Sequence, residues 1–415
     1  MRFLHIADVH LDTSFAGRSE EVRGRLRDAS RTAFSRAVDV AIREDVHALL
    51  IAGDLFDGDR LSFQTERFLL RETERLQDHQ ITVVYATGNH DPGSATMGPR
   101  ALAWPTCVRV AADGTPRRFQ ILDRNREPVG YVTAVGHEGP RVTDDLSRTL
   151  PAPAGALPEI ALLHTQVRTS ASADQHHPYA PSDLTWLRHA GYDYWALGHI
   201  HMRQELSDDP PIWYPGSIQG KTHADRGARG ALLVDLTDRQ NPAIAFRSLA
   251  PVRWDTIEVS RLERVTSLDE LEHAVRSAWQ SAREADPATS DIEWMVRVTL
   301  SGPCPLWSEL RTEEDRETLA RELRGVLGAL DVVVLADDVH PVLALEEHRL
   351  RTDILGEALR LADAVREGRQ SIDHLFEGTL AGAPSDDRVA LRRYVQDLLT
   401  GADGEIAARL LEGHE

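Results

Sequence analysis

Across residues 1–250, short continuous apolar runs alternate with segments whose apolar positions recur every three or four residues. Arg2–Ala7 reads as a buried strand, and Ala48–Ala52 and Ile81–Ala86 repeat that pattern. Between them, Arg31–Glu44 carries Ala33, Phe34, Ala37, Val38, Ala41 and Ile42 on one helical stripe, and Gln64–Gln77 is helical in the same way. Ile160–Leu163 and Tyr194–Leu197 are further strands, and Ala231–Leu236 with Ala243–Leu249 reads as a closing antiparallel pair. Strands alternating with helices predict a layered α/β domain. The stretch Pro151–Pro158, rich in Pro, Ala and Gly, is a connector.

A second unit, residues 251–342, reads strand (Asp255–Val259), helix (Ser267–Glu284), strand (Glu293–Leu300), helix (Glu313–Leu330), strand (Asp331–Leu335). Ser267 followed by Glu270 forms a capping box that sets the first helix start. Residues 343–415 are helical, with apolar spacing over Leu350–Arg366 and Asp387–Leu411 and a break at Gly378–Ser385. The expected organisation is therefore an α/β domain, a small α+β module and a helical C-terminal region.

The chain has 415 residues, 41% of them hydrophobic and 27% charged, enough for a sizeable core. Forty-seven basic against 66 acidic residues give a net charge of −19, which excludes nucleic-acid coating by bulk charge. A local site where bound cations supply positive charge remains open. Lys221 is the sole lysine, a matter of genomic composition. Two cysteines, Cys107 and Cys304, make no disulfide framework. No apolar run reaches the ~20 residues of a membrane span, and a cytoplasmic location is expected.

The chemistry sits where the strands end. The first ends in Asp8-Val9-His10, the second in Gly53-Asp54-Leu55-Phe56-Asp57, the third in Gly88-Asn89-His90-Asp91, a fourth at His164 and a fifth in Gly198-His199-Ile200-His201. In open α/β sheets ligands bind outside the carboxyl ends of the strands. Five strand ends thus deliver oxygen and nitrogen donors without a thiolate, a set suited to Mn²⁺, Fe or Zn²⁺. Asp8-x-His10 and His199-x-His201 put two donors on one side of an extended segment. A carboxylate such as Asp54 can bridge two cations, which could then hold a phosphate and activate a water.

Taken in order, DxH, GDLFD, GNHD, a lone His after an apolar run, and GHIH resemble the calcineurin-like metallophosphoesterase superfamily. The flanks LHIADVHLD, LLIAGDLFD, ATGNHD, ALGHIH and YPGS (Tyr214–Ser217) resemble the SbcD-like DNA repair exonuclease family, in its YhaO-like branch. The resemblance covers residues 1–250 closely and the following module loosely. It implies a four-layer sandwich of two mixed sheets flanked by helices, with an α+β capping domain and a helical C-terminal region. It also implies two divalent ions, Mn²⁺ before Fe or Zn²⁺. One would be held by Asp8, His10, Asp54 and His201, the other by Asp54, Asn89, His164 and His199. His90 would protonate the leaving oxygen, with Asp91 holding its imidazole, and Asp57 would stand outside the ligand set. His137, in Gly-His-Glu after the run Gly130–Val135, competes with His164; the carry-over favours His164.

Other polar residues have plainer readings. His176-His177 reads as a solvated pair in a polar loop. Tyr214–Ser217 is a turn by composition, and Lys221 and His223 beyond it are either ordinary loop residues or phosphate contacts. Arg18, Arg23, Arg25, Arg27, Arg31 and Arg36 form either a DNA-backbone contact or a face balanced by Glu20, Glu21 and Asp28.

The expected function is a Mn²⁺-dependent DNA exonuclease or endonuclease, part of a repair or defence complex. The resemblance implies as partners DNA and an SMC-like ATPase of the SbcC/YhaN-like kind, docked on the C-terminal helices, and a homodimer. The alternative is a phosphodiesterase for a nucleotide or other small phosphodiester, which the acidic charge favours and the capping module disfavours.

Overall fold

The computed structural model describes residues 1–415 except 59–60, 98–100, 168–178, 286–290, 343–344, 371–393, 396–397, 400–401 and 413–415. It divides into two units, Met1–Trp254 with Ser290–Trp294, and Asp255–Thr289 with Met295–Glu415.

In the first unit the strands are β1 (Arg2–Ile6), β2 (Ala48–Ala52), β3 (Thr82–Ala86), β4 (Val108–Ala111), β5 (Arg117–Leu122), β6 (Pro128–Val135), β7 (Glu159–His164), β8 (Tyr194–Gly198), β9 (Gln204–Asp208), β10 (Pro211–Tyr214), β11 (Gly230–Asp235) and β12 (Ala243–Ser248). They form two six-stranded sheets, β12-β11-β1-β2-β3-β4 and β5-β6-β7-β8-β10-β9. β1 to β4 run parallel, and β11 and β12 close that sheet antiparallel, as the sequence suggests. In the second sheet β6, β7, β8 and β10 are parallel, with antiparallel strands at both edges. Both sheets are mixed.

Strand alternation explains the layers. On β1 and β2, Phe3, Ala48, Leu50 and Ala52 fill the space between the sheets, together with Ile160, Leu162, Tyr194 and Ala196 from the second sheet. Leu4, Ile6, Leu49 and Ile51 face the other way, onto helices α1 (Glu20–Arg43) and α2 (Phe63–Asp78). Strands buried on both faces read as unbroken apolar runs, which is why these were legible. The outer face of the second sheet packs Leu163, Trp195 and Leu197 against Leu187 and Tyr192. The result is a four-layer α/β/β/α sandwich.

Helix α1 begins well before the expected Arg31. Ser19 caps it, its Oγ accepting from the Val22 N–H at 3.3 Å, and Val22 and Leu26 are buried on the same stripe as Ala33 and Phe34. The arginines between them obscure the period. Strand β5 and the edge strand β9 carry no clear apolar pattern, because about half their residues are polar and exposed.

The second unit contains β13 (Val252–Val259), α3 (Leu268–Ala285), β14 (Glu293–Pro303) and β15 (Asp331–His340), with a helix at Glu313–Leu327. The sheet order is β13-β14-β15, and β14 and β15 are parallel. Ser267 Oγ accepts from the Glu270 N–H at 3.3 Å, while the Glu270 carboxylate reaches the Thr266 N–H at 2.7 Å, one residue earlier than a strict capping box. In the C-terminal region, Ile354–Arg366 is helical from an Asp353 cap, and Asp403–Glu412 packs Ala407 against Leu355 and Leu359. Arg311 pairs with Glu405 at 3.1 Å, tying the last helix to the α+β module, and Arg366 pairs with Asp403 at 3.1 Å, joining the two C-terminal helices. The break at 378–385 and most of 387–402 lie outside the described residues. Among the described residues, no helix is long and apolar enough to cross a membrane.

Candidate metal centre

The polar strand ends do not line one sheet edge. Asp8, His10, Asp54, Asn89 and His90 follow β1, β2 and β3 of the first sheet, whereas His164, His199 and His201 come from β7 and β8 of the second. The two sheets meet there. His164 donates from Nδ1 to the Ala52 carbonyl at 2.9 Å, a bond that crosses between them. Gly53 allows this approach, because a Cβ at its φ of +81° would collide with the His164 ring.

The backbone turns sharply at the donors. Asp8, His10, Asp54 and His199 have φ of 51°, 49°, 52° and 106°, in the left-handed region that L residues rarely adopt. Such strain persists where surrounding contacts over-determine it. Here those contacts include His10 N–H to Asp54 O at 2.9 Å and His199 N–H to both Asp8 oxygens at 3.2 Å.

Two donor groups result. In the first, His10 Nε2 lies 3.2 Å from His201 Nε2, and Asp8 Oδ1 is 4.0 Å from each. In the second, His164 Nε2 lies 3.0 Å from Asn89 Oδ1, 3.3 Å from His199 Nδ1 and 3.4 Å from Asp54 Oδ2. Asp54 Oδ2 is also 3.7 Å from His10 Nε2, so one carboxylate stands between the groups. All seven predicted donors are brought together.

The outer nitrogens show which tautomers are present. His10 donates from Nδ1 to Asp57 Oδ1 at 2.6 Å, and His164 from Nδ1 to Ala52 O. Asp225 Oδ1 faces His201 Nδ1 at 3.5 Å. With those protons on Nδ1, the Nε2 lone pairs of His10, His164 and His201 all point inward. Burial pushes His10 down to about 3 and lowers His164 and His201, which keeps the imidazoles neutral. Burial, together with Asp54, pushes Asp8 well above the carboxylate range. Burial also opposes ionisation of Asp54, while positive charge on His164, His10 or His90 would lower its pKa and the His90 backbone N–H donates to its Oδ1 at 2.9 Å. Neutral imidazoles aiming lone pairs at one another beside crowded carboxylates fit two divalent cations.

One expectation about the neighbours is corrected. Asp91 does not hold the His90 imidazole. It is fully buried, and its carboxylate accepts backbone N–H groups of Gly88 (2.7 Å), Leu55 (2.5 Å) and Asp54 (3.1 Å) and the Tyr85 hydroxyl (2.5 Å). It fastens the Gly53–Asp57 and Gly88–Asp91 loops to each other. The partner of His90 is Asp57, with Oδ1 3.0 Å from Nδ1. Asp57 thus serves His10 and His90 together, and its bond raises the His90 pKa. Spacing cannot tell which motif supplies the partner of His90, because the turns decide which carboxylate faces it.

His137 is not among the inward donors. It donates from Nε2 to the His164 carbonyl at 2.7 Å and buttresses that ligand from behind. Sequence reading missed Asp225. Its only signal is its place eight residues after Ser217, in a turn whose Ser217 N–H donates to His201 O at 3.1 Å. The arginine stretch lies on α1 and the loop before it. There Arg31 pairs with Asp28 and Asp12, Arg36 with Asp291 and Arg25 with Glu293, in accord with a balanced face. His176 and His177 lie outside the described residues.

Residues 1–203 match the family model for calcineurin-like phosphoesterases. The chain is 29% identical over 313 residues to the metallophosphoesterase YhaO of Bacillus subtilis, covering 74% of this chain and 73% of that protein. It is 36% identical over 296 residues to the SbcD component of the nuclease SbcCD of Rhodobacter capsulatus, covering 58% and 68%. It is 22% identical over 392 residues to the DNA double-strand break repair protein Mre11 of Sulfolobus acidocaldarius, covering 91% and 93%. With the donor set and the two-sheet sandwich already in view, these likenesses mean that the chain belongs to the calcineurin-like metallophosphoesterase family, alongside its SbcD-like members.

Proposed function

We propose that the protein is a two-metal phosphodiesterase acting on DNA, the exonuclease or endonuclease component of a complex with an SMC-like ATPase. The carrying observation is the pair of inward donor groups sharing Asp54, next to the His90–Asp57 pair. One ion would be held by Asp8, His10, Asp54 and His201, the other by Asp54, Asn89, His164 and His199, with Mn²⁺ suiting the carboxylate and amide oxygens and Fe or Zn²⁺ the imidazoles. When bound, the ions would polarise the phosphoryl group and acidify the attacking water.

The protein supplies the rest. Asp57 holds the His90 ring by Nδ1, leaving Nε2 to donate a proton to the leaving oxygen. His90 is half-exposed, so a substrate can reach it, whereas His10 and Asp54 are almost fully buried and hold their geometry. Asp225 and Asp57 orient His201 and His10 from outside.

Relatives named as repair nucleases support the DNA reading. The α+β module would cap the site, and the C-terminal helices would dock the ATPase. Exposed Leu350, Ile354 and Leu361 support that docking, being 86%, 66% and 54% accessible. The setting would be the cytoplasm.

The test uses purified protein, Mn²⁺, end-labelled single- and double-stranded DNA, and bis-p-nitrophenyl phosphate. Cleavage of DNA by the wild type, lost in Asp54→Ala and His90→Ala, is expected. Hydrolysis of the small diester with DNA left intact, also after addition of an SMC-like ATPase, would refute the DNA reading.

A further inference from the structure

Lys221 is the only lysine among 47 basic residues, and its backbone is fixed to the metal centre. Asp225 Oδ2 accepts the N–H groups of Lys221 at 2.9 Å and Thr222 at 3.1 Å, while Oδ1 of the same carboxylate faces His201. On the other side, Trp254 Nε1 donates to the Gly220 carbonyl at 2.8 Å. Arg229 donates from Nε to the Asp225 carbonyl at 3.2 Å, closing the loop. The side chain is half-buried.

Among the described residues, the Lys221 ammonium makes no hydrogen bond and no ion pair. The neighbouring guanidinium of Arg229 behaves differently, since it meets the Asp225 carboxylate. Yet the Lys221 charge is felt by Asp8, His10, Asp57, His90 and His201. It does not figure among the influences on His164. The bond from the Lys221 backbone to Asp225, whose other oxygen faces His201, puts Lys221 on the His201 side of the centre. Holding a cation half-buried without an anion costs free energy. Placing it beside two divalent ions costs more, unless an anion lies between.

We propose that Lys221 binds a phosphate oxygen of the strand one nucleotide away from the scissile bond, on the His201 side of the centre. This rests on the DNA reading above. The scissile phosphate already has the two ions and His90, so the next anion along a chain is the one left for Lys221. A small diester has no such phosphate, and the contact would let the site favour a polyanionic strand.

The test compares wild type, Lys221→Met and Lys221→Arg on a single-stranded oligonucleotide and on bis-p-nitrophenyl phosphate. For Lys221→Met, kcat/KM on the oligonucleotide relative to the small diester should fall about tenfold, mostly through KM, and Lys221→Arg should recover most of it. Binding of a labelled oligonucleotide without turnover, in EDTA, should lose about 0.7 of its log–log salt slope in Lys221→Met. Because Lys221 is the only lysine, reductive ¹³C-methylation gives one lysine methyl signal, absent from Lys221→Arg, which should shift when the oligonucleotide is added. Equal loss on both substrates, or an unmoved signal and salt slope in a wild type that does cleave DNA, would overturn this assignment alone. A wild type that hydrolyses only the small diester would instead bring down the DNA reading beneath it.

Discussion

His10 Nε2 and His201 Nε2, 191 residues apart in the chain, stand 3.2 Å from each other in the fold. Each ring has a carboxylate at its outer nitrogen, Asp57 for His10 and Asp225 for His201. Two lone pairs held face to face repel, and a cation between them turns the repulsion into coordination. The arrangement is suited to hold one metal ion, and the second donor group differs in that a backbone carbonyl, Ala52 O, fixes the outer nitrogen of His164 while Asn89 faces its Nε2.

Metal affinity should therefore depend on residues that touch no metal. Asp225→Asn is expected to weaken Mn²⁺ binding about 10- to 100-fold. Calorimetric titration of the EDTA-stripped protein would measure this. Stripping should also lower the melting temperature, and Mn²⁺ at about 100 times its Kd should restore roughly 2.7 kcal/mol. An Asp225→Asn protein that binds Mn²⁺ like the wild type would show that its carboxylate does not orient His201.

The two carboxylates weighed as partners of His90, Asp57 and Asp91, should separate cleanly. Asp57→Asn should keep the fold and lower kcat on bis-p-nitrophenyl phosphate by about 10²–10⁴, the range for losing a positioned general acid. Asp91→Asn should instead cost about 2–4 kcal/mol of stability, since its amide would turn a donor toward buried N–H groups. Urea unfolding of both variants, read beside their activities, distinguishes them. Full stability in Asp91→Asn would contradict its role as a fastener between loops.

Acid should destabilise the first unit through His5. This ring is fully buried between the sheets, its Nδ1 3.1 Å from the Tyr194 hydroxyl. Burial pushes its pKa down to about 3, against about 6.5 in the unfolded chain. Below pH 6.5 the unfolded state takes up a proton that the folded state refuses. The stability it contributes is present above pH 6.5 and drains away as pH falls toward 3. From pH 7.5 to 5 the wild type should lose about 2 kcal/mol more than His5→Gln, which cannot titrate there. Parallel urea midpoints across that range would rule His5 out as the sensor.

Much of this molecule is written in local pattern. The runs at Ala48–Ala52 and Glu159–His164 announce strands because both their faces are buried, and a strand buried on both faces has no polar interruption. The donors follow those runs directly, so the positions of Asp8, His10, Asp54, Asn89, His164, His199 and His201 at strand ends could be read without coordinates. Helix α1 was half-legible: its last turns show a clean apolar stripe, while Val22 and Leu26 are diluted by arginines.

What the sequence by itself determined was the set of donors and the strands that carry them, since side-chain chemistry and strand periodicity are properties of neighbouring residues. Only the tertiary structure decided who faces whom. It joined strand ends from two different sheets, sent Asp57 rather than Asp91 to His90, put His137 behind His164, and brought Asp225 to His201. Those pairings depend on left-handed turns at Asp8, His10, Asp54 and His199 and on contacts across more than a hundred residues, such as His164 with Ala52. No local rule encodes such contacts, because the packing of one sheet on the other selects them.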